Sequence, residues 1–600
     1  MGALVDHETL LDAEAEALDC GVATHEVLLA AGHITEPDYV TAVARRLALP
    51  LLVPHAALGL AAATAGRAGI GLPAIVDGRP CRVLSASEAS PDVMVRHVAE
   101  LHAQGVTIVL APQSRIEAAL EQHLMPERID LAVRGLLRAQ PASSAATSFA
   151  TWQVVTGAVV AGLIIGGFAV LPDVTIAALT TLVALPFLCV TALRLVALRQ
   201  AFGRPRQRIY VAGPRARRVP DRMLPLYSVL VPLYREGNVL PALVKSLQAL
   251  DYPLAKLEIF LILEADDAET QAAARKLGLP PNFRLLVVPA RGPRTKPKAL
   301  NYALQIARGD FVVVYDAEDR PQPGQLRNAW EVFRHAPPSL ACLQAQLNIY
   351  NPGQSWFTRQ FTIEYSALFD AILPALETLR LPVPLGGTSN HFPRSLLLTI
   401  GAWDPYNVTE DADLGIRIAR LGYHTGVLAS TTWEEAPPRF SVWLRQRTRW
   451  LKGWMQTYLV HTREPRRLNR ELGLAAACGF HALMGGLIAS ALVHPLFYVL
   501  LAHHWLSGSL LAPAESTAGA VLWAIAGINL AIGYVVSILV GIVSVLRRRR
   551  PGLALHALLM PVYWLLVSAA AYRAIYQLIR APYLWEKTEH GSAPRRRRTR

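Results

Sequence analysis

From residue 224 onward, the distribution of apolar and polar positions alternates between two patterns. Short apolar runs of strand length, at 227–231, 257–263 and 311–315, are separated by segments with helical periodicity. Strands that alternate with helices predict an α/β domain with a mostly parallel sheet, and we place it at residues 220–438. Ligands in such sheets bind beyond the carboxyl ends of the strands.

Other blocks are apolar on every face and predict membrane segments. The chain is 52% hydrophobic and only 17% charged, and the excess lies in these blocks. We expect a transmembrane hairpin at 150–200 and a C-terminal transmembrane region at 471–580, about five membrane-embedded segments in all. The last block, 553–579, ends before a basic tail at 581–600. Either this block is re-entrant or the stretch before it crosses twice, because one crossing would leave the tail outside.

The basic residues indicate partners and compartment. The formal net charge is +14, and arginines follow the apolar blocks directly, at Arg199 and at Arg547 to Arg550. Basic flanks favour the cytoplasmic side, so we expect a multi-pass protein of the bacterial inner membrane with its N-terminal and catalytic domains in the cytoplasm. The lipid bilayer is the expected partner of these charges, and no nucleic-acid module is recognised. The five cysteines lie far apart, which suggests neither disulfides nor zinc.

The first 125 residues predict a small cytoplasmic α/β domain, followed by a linker at 126–149. The segments Leu28–Thr35 and Ala44–Pro50, with Tyr39 between them, resemble the N-terminal domain of type II secretion ATPases. Some relatives of that domain bind cyclic di-GMP. Asp19-Cys20-Gly21 stands near the place where their binding motif opens with Arg-Leu-Gly. Binding of cyclic di-GMP and docking of a partner protein therefore both remain open.

Acidic residues follow the predicted strands at the expected binding edge. Asp316, Glu318 and Asp319 follow the strand at 311–315 and predict a Mg²⁺ or Mn²⁺ site, since hard oxygen ligands suit these ions. After earlier strands come residues that we assign to nucleotide binding: Pro232, Tyr234, Glu236, Glu264, Asp266 and Asp267.

Two further groups complete the candidate chemistry. Thr409-Glu410-Asp411 opens a predicted helix, where the helix dipole favours an ionised carboxylate that can act as a general base. Gln446, Arg449 and Trp450 lie on a basic, aromatic segment at 439–462 that we expect at the membrane surface. A helix cap and an ordinary interfacial helix are the alternatives for these two groups.

In this order the groups resemble the TED and QxxRW motifs of the processive family 2 glycosyltransferases, such as cellulose, curdlan and hyaluronan synthases. The resemblance covers about residues 224–458 and implies a GT-A-like domain inserted between transmembrane helices. It implies Asp411, with Glu410, as the catalytic group. The family's metal motif is usually Asp-x-Asp, so Glu318 and the added Asp319 are departures from it.

The resemblance also implies roles for other residues. Lys296 and Asn301 match the family's KxxAxN segment near the nucleotide, while Arg449 and Trp450 would contact the diphosphate and the acceptor sugar. The loop before residue 391 supplies backbone and hydroxyl groups on the acceptor side, through Gly387, Thr388, Ser389 and Asn390. For His391 beside this loop, a structural role is favoured over an acid–base role.

The resulting hypothesis is a membrane-embedded inverting glycosyltransferase. It would move sugar from a nucleotide-diphosphate donor, most simply UDP-linked, to a growing polysaccharide coupled to export. Two alternatives stay open: transfer of one sugar to a lipid carrier, and a non-catalytic membrane scaffold or receptor. The partners would be the donor, a glycan or lipid-linked acceptor, and the bilayer.

Overall fold

The computed structural model describes residues 4–53, 58–60, 71–87, 91–147, 149–202, 209–210, 219–508 and 517–586. Its N-terminal part contains five helices around a four-stranded sheet of order β1-β2-β3-β4, in which β3 and β4 are parallel. The elements are α1 (His7–Cys20), α2 (Thr24–Ala31), α3 (Glu36–Leu47), β1 (Leu58–Leu60), β2 (Leu72–Val76), β3 (Arg79–Ser85), α4 (Pro91–Ala103), β4 (Ile108–Ala111) and α5 (Gln113–Ala139).

Helix α5 continues without a break to Ala139 and so runs through the first half of the linker predicted at 126–149. Its last turns are apolar on the inner face, and Ile129, Ala132 and Val133 share one core with Leu300. Burial of this face explains why the helix persists past the predicted boundary. The other domain boundaries remain predictions.

Two long apolar helices follow, and then the central sheet begins. The elements up to the metal-binding candidates are α6 (Thr151–Val170), α7 (Pro172–Phe202), β5 (Ile209–Tyr210), β6 (Tyr227–Leu233), α8 (Leu240–Gln248), β7 (Leu257–Glu264), α9 (Ala268–Lys276), β8 (Phe283–Val288), α10 (Lys296–Leu304) and β9 (Phe311–Val314). The strands β6 to β9 form the predicted βαβ series.

The second half of the sheet is interleaved with helices. Its elements are β10 (Arg320–Pro321), α11 (Gln325–His335), β11 (Leu340–Ile349), α12 (Trp356–Ala367), a π-helical segment (Leu368–Ile372), α13 (Leu373–Thr378), β12 (Asn390–Pro393), α14 (Arg394–Ile400), α15 (Glu410–Arg420) and β13 (His424–Glu434). Six further helices close the described chain: α16 (Phe440–His461), α17 (Pro465–Leu472), α18 (Leu474–Phe480), α19 (Gly486–Leu506), α20 (Thr517–Arg547) and α21 (Met560–Arg580).

The sheet runs in the order β10-β13-β11-β12-β9-β6-β7-β8, with β5 beside β13. The pairings β9-β6, β6-β7 and β7-β8 are parallel, as predicted, and so is β11-β13. Strand β12 is antiparallel to both of its neighbours, which makes the sheet mixed. As a result, β12 starts at the edge where β6, β7 and β9 end.

Five helical stretches of the described residues are long and apolar enough to cross a membrane, which agrees with the expected number. The last of them, 551–580, lies along α16. At one end Trp443 donates a hydrogen bond from its indole to Tyr563 (2.9 Å), and at the other Gln456 donates to the carbonyl of Pro582 (2.9 Å). Both ends of α21 therefore lie against α16. Of the expected basic tail, residues 587–600 lie outside the described part of the chain.

Candidate active site

One cavity lies at the carboxyl edge of the sheet, where β6, β7 and β9 end and β12 begins. Most of the residues singled out from the sequence line this active-site cavity: Pro232, Tyr234, Glu236, Glu264, Lys296, Asp316, Glu318, Gly387, Thr388, Glu410, Asp411, Gln446, Arg449 and Trp450. They come from segments spread over more than two hundred positions. The direction of the strands brings them together.

Gly387 marks the centre of this arrangement. A methyl group placed on its Cα would lie 3.1 Å from Asp411 Oδ2 and 3.9 Å from Asp316 Oδ2. The carboxylate expected to act as base and the carboxylate expected to hold metal therefore face the same small volume. No other residue type at position 387 would leave that volume free.

Lys296 joins the parts of this centre. Its ammonium group forms an ion pair with Asp316 and donates to the carbonyl of Gly387 at 2.6 Å. The charges of Asp316, Glu410 and Asp411 outweigh the cost of burying the ammonium group and raise the pKa of Lys296. This lysine stays charged and can offset the charge of a bound diphosphate.

The two catalytic candidates differ in their surroundings. Burial, and then the neighbouring charge of Asp411, raise the pKa of Glu410 to about 7. Burial also raises the pKa of Asp411, although the backbone N–H of Ala412, Lys296 and Arg449 oppose this shift. Asp411 Oδ1 accepts from that N–H at 2.7 Å, whereas Oδ2 faces Gly387 and the cavity. Asp411 is thus placed to take a proton through Oδ2.

Close packing against α16 holds the start of α15 in place. Gly453 of α16 leaves room for Thr409, since a methyl group there would lie 2.3 Å from the Thr409 hydroxyl oxygen. The side chain of Asn407 donates to Thr457 (3.0 Å), and Gln456 accepts from the backbone N–H of Val408 (3.2 Å). The helix that carries Arg449 and Trp450 therefore also holds the candidate base, Asp411, in position.

Aromatic and cationic side chains form the side of the cavity nearest the ends of β6 and β7. Arg294 donates to the hydroxyl of Tyr234 at 3.0 Å. Trp585 lies beside Tyr234, with 6.5 Å between ring centroids, and the Arg449 guanidinium stands 5.7 Å from the Trp585 ring. Flat rings can stack on a nucleobase, and the guanidinium groups next to them can bind a diphosphate.

Several predicted residues lie behind the cavity wall. Asp319 turns inward and accepts hydrogen bonds from the backbone N–H of Asp316 (2.7 Å) and from the Thr388 hydroxyl. Burial, and then the charges of Asp316 and Glu318, raise the pKa of Asp319 well above the usual range. Asp319 thus closes the turn after β9 in this structure, and its role as a metal ligand stays a prediction.

The other predicted residues outside the cavity lining support it from behind. Asp267 caps α9 by accepting from the N–H of Thr270 (3.2 Å), and Asp266 forms an ion pair with Arg294. The Asn301 amide donates to the carbonyls of Trp403 (2.8 Å) and Ala132 (3.1 Å).

The loop that leads into β12 continues behind the wall in the same way. The Ser389 hydroxyl donates to Thr432 (2.7 Å), and Asn390 donates to the carbonyl of Gly386 (2.5 Å). His391 is fully buried against the Tyr227 hydroxyl (2.7 Å). This contact agrees with the structural role favoured for His391.

The carboxylates that line the cavity beside β9 suit one divalent cation held by two of them. Asp316 and Glu318 both line the cavity and offer hard oxygens. Acidic side chains outnumber basic ones around it, and burial together with Asp319, Glu318 and Asp316 raises the pKa of Glu434 well above the usual range. Among the described residues, no three or more His, Cys, Asp or Glu side chains form a complete metal site. A cation would therefore take its remaining ligands from water and phosphate.

Sequence reasoning missed one side of the cavity. We call it the apolar wall, and it consists of Leu347, Phe361, Tyr365, Leu368 and Phe369. Most of it comes from α12 and the π-helical segment, and the four-residue spacing of Phe361, Tyr365 and Phe369 was the available signal. Arg294, Trp454 and Trp585 also line the cavity without having been predicted.

The sheet and its edge define the class of protein: an α/β fold with a polar ligand cavity at the carboxyl ends of its strands. Residues 225–453 match the family model described as "Glycosyltransferase like family 2". This part of the chain is therefore similar to the family 2 glycosyltransferases, as the resemblance implied. The glycosyltransferase class of the enzyme is thereby confirmed.

Similar proteins carry several activities. The chain is 29% identical over 234 residues to "Probable glycosyltransferase YdaM" of Bacillus subtilis, covering 38% of this chain and 55% of that one. It is 28% identical over 276 residues to "Beta-monoglucosyldiacylglycerol synthase" of Synechocystis, covering 45% and 56%. It is 26% identical over 239 residues to "Cellulose synthase 2" of Novacetimonas hansenii, covering 39% and 14%. The chain spans about half the length of the first two relatives.

Proposed function

We propose that this protein is a membrane-embedded inverting glycosyltransferase that moves sugar from a nucleotide-diphosphate donor, UDP-linked in the simplest case, to a growing polysaccharide. The observation that carries the proposal is the convergence of Asp411 Oδ2 and Asp316 Oδ2 on the space beside Gly387. Base and leaving-group site then lie within one sugar's width of each other. The apolar helices support a location in the bilayer.

The chemistry follows from this placement. Asp411 Oδ2 takes the proton of the acceptor hydroxyl, whose oxygen forms a bond to the anomeric carbon. The bond between that carbon and the diphosphate oxygen breaks, and the nucleoside diphosphate leaves with the electron pair. A Mg²⁺ or Mn²⁺ ion, held by Asp316 and Glu318, would stabilise the charge on the departing diphosphate.

Different side chains of the cavity would bind the diphosphate, the nucleobase and the sugar hydroxyls. Lys296 and Arg449 offset negative charge on the diphosphate. Tyr234 and Trp585 offer flat surfaces on which the nucleobase of the donor can stack. Gln446 has a buried carbonyl oxygen without a hydrogen-bond partner, which can accept from a sugar hydroxyl in the cavity.

Membrane placement follows from the contacts of α21. Because both of its ends lie against α16, we propose that α21 rests at the membrane surface and that the other four apolar stretches cross the bilayer. This favours the re-entrant alternative for residues 553–579. An even number of crossings keeps both termini on the cytoplasmic side with the catalytic domain.

A lipid acceptor is the second candidate, and the apolar wall favours it. Four of its five side chains have no hydrogen-bonding group that could serve the hydroxyls of a glycan, although the rings of Phe361 and Phe369 could stack on sugars. One relative is named as a glucosyldiacylglycerol synthase. The size of the product separates the candidates, since a polymer excludes a single transfer.

The test uses the full chain in detergent or nanodiscs. We expect one class of nucleotide sugar to raise the melting temperature, more so with Mg²⁺ or Mn²⁺, and to support sugar transfer. Asp411→Asn should keep the donor-dependent rise and lose transfer about 100-fold or more. Equal sugar transfer by the wild-type protein and Asp411→Asn would overturn the proposal, and so would a melting temperature that no nucleotide sugar raises.

A further inference from the structure

The π-helical segment Leu368–Ile372 lies between the active-site cavity and the membrane helices. Leu368 and Phe369 line the cavity as part of the apolar wall. On the other side, Ala371 packs in one cluster with Ala197 of α7 and with Val536 and Val540 of α20. π-helical turns inside α-helices are rare and are frequent at functional sites.

One side chain of this segment points neither to the cavity nor to the membrane helices. Asp370 accepts hydrogen bonds from Arg548 Nε at 2.7 Å and Arg548 Nη2 at 2.5 Å, and a further one from Gln346 at 2.9 Å. The exposed fractions of the two ionic side chains are only 8% for Asp370 and 15% for Arg548. Such a two-pronged, shielded pair has a defined geometry that one hydrogen bond would not impose.

Arg548 also reaches the sheet. It directly follows α20, and its Nη1 donates to the Thr431 hydroxyl of β13 at 2.7 Å. Strand β13 ends at Glu434, which lines the cavity. A single guanidinium therefore joins the end of a membrane helix, the segment behind the apolar wall and a strand that leads into the active site.

The apolar wall depends on this junction. Removal of either charge would leave its partner shielded from water and unpaired, so the segment would shift to expose it. Because Asp370 directly follows Phe369, such a shift would move the wall. The donor side is built from β6, β7 and α10, whereas the hydrogen bonds of this pair go to Gln346 of β11 and Thr431 of β13, so we expect the donor side to stay in place.

We propose that Arg548 and Asp370 are positioning residues that set the apolar wall for the acceptor, so that the end of α20 determines how the acceptor hydroxyl is presented to Asp411. The inference rests on the proposed function for its acceptor. It assigns a role in acceptor binding to two residues that touch neither substrate.

The first test is kinetic and uses Arg548→Lys, which keeps the charge and loses the fork. Two acceptor probes are measured: dioleoylglycerol in mixed micelles, and cellopentaose. For the probe that the wild-type enzyme glycosylates, we expect KM to rise roughly tenfold, with the KM for the donor unchanged. Asp370→Asn should have the same effect, and the double variant should be no worse than either, since both remove one interaction. Exposed Arg549→Lys is the matched control.

The second test does not need turnover. Hydrogen–deuterium exchange of Arg548→Lys should be faster across residues 368–372 than in wild type, with residues 257–264 unchanged. Unchanged exchange at 368–372, or a parallel loss of donor affinity, would overturn the inference. A wild-type enzyme that transfers no sugar to any acceptor would instead overturn the proposed function.

Discussion

Replacement of Gly387 by alanine tests the centre of the site with one added methyl group. The new methyl would lie 3.1 Å from Asp411 Oδ2, 3.7 Å from Lys296 Nζ and 3.9 Å from Asp316 Oδ2. Only the first distance is shorter than an ordinary van der Waals contact. The carboxylate must therefore move by a few tenths of an ångström, and the methyl fills the space where the reacting atoms would meet.

The expected loss of activity is large compared with the loss of stability. A displacement of about 1 Å at a reacting group can cost about 100-fold in rate, so a few tenths together with a blocked space should cost roughly 10- to 100-fold in kcat. The backbone at position 387 has no positive φ, so alanine adds no strain there. We expect the free energy of unfolding to change by less than about 1 kcal/mol.

The assay compares sugar transfer by Gly387→Ala and by Gly353→Ala in the same membranes. Gly353 lies in an exposed turn where an added methyl would meet nothing within 4 Å, so it controls for the substitution itself. Full activity of Gly387→Ala would refute the assignment, because transfer would then occur away from the space between Asp411 and Asp316.

Two other predictions concern the charges and rings of the cavity. Because the pKa of Glu410 is raised to about 7 by burial and Asp411, this carboxyl lowers stability as pH rises from its usual value of 4.5 towards 7. The free energy of unfolding of Glu410→Gln should therefore exceed that of wild type at pH 8 but not near pH 4.5, by on the order of 3 kcal/mol; a gain independent of pH would contradict this. Trp585→Ala should raise the donor KM about threefold to fivefold through loss of the ring beside Arg449, whereas Trp585→Phe should keep most of the affinity. An unchanged KM in Trp585→Ala would remove this residue from the donor site.

The sequence predicts that the acids at the strand ends come together, because parallel strands end at a common edge. Glu236, Glu264 and Asp316 follow three strands that pair side by side, so their meeting depends only on the βαβ pattern. The position of Gly387 could not be inferred in that way. It depends on β12, a four-residue strand whose antiparallel direction places its start beside the end of β9.

Side-chain direction was the other property that the sequence did not determine. Asp319 stands next to Glu318, yet it turns inward to the N–H of Asp316. Neighbouring acids after a strand have no periodicity that would separate a ligand from a residue that closes the turn. The apolar wall was missed for a related reason, because the helix that carries it buries both faces.

The N-terminal part is joined to the catalytic domain more closely than its composition indicates. Asn301 was expected near the nucleotide. In the structure its amide donates to the carbonyl of Ala132 in α5 and to the carbonyl of Trp403, which lies in the loop before the candidate base Asp411. In the same loop, Asp404 accepts from the Ser144 hydroxyl at 3.1 Å. The irregular backbone before Thr409 therefore rests on residues that the sequence assigned to a linker. A small polar stretch between two domains looks like a linker whenever its hydrogen-bond partners lie far away in sequence, and here they lie 260 positions downstream.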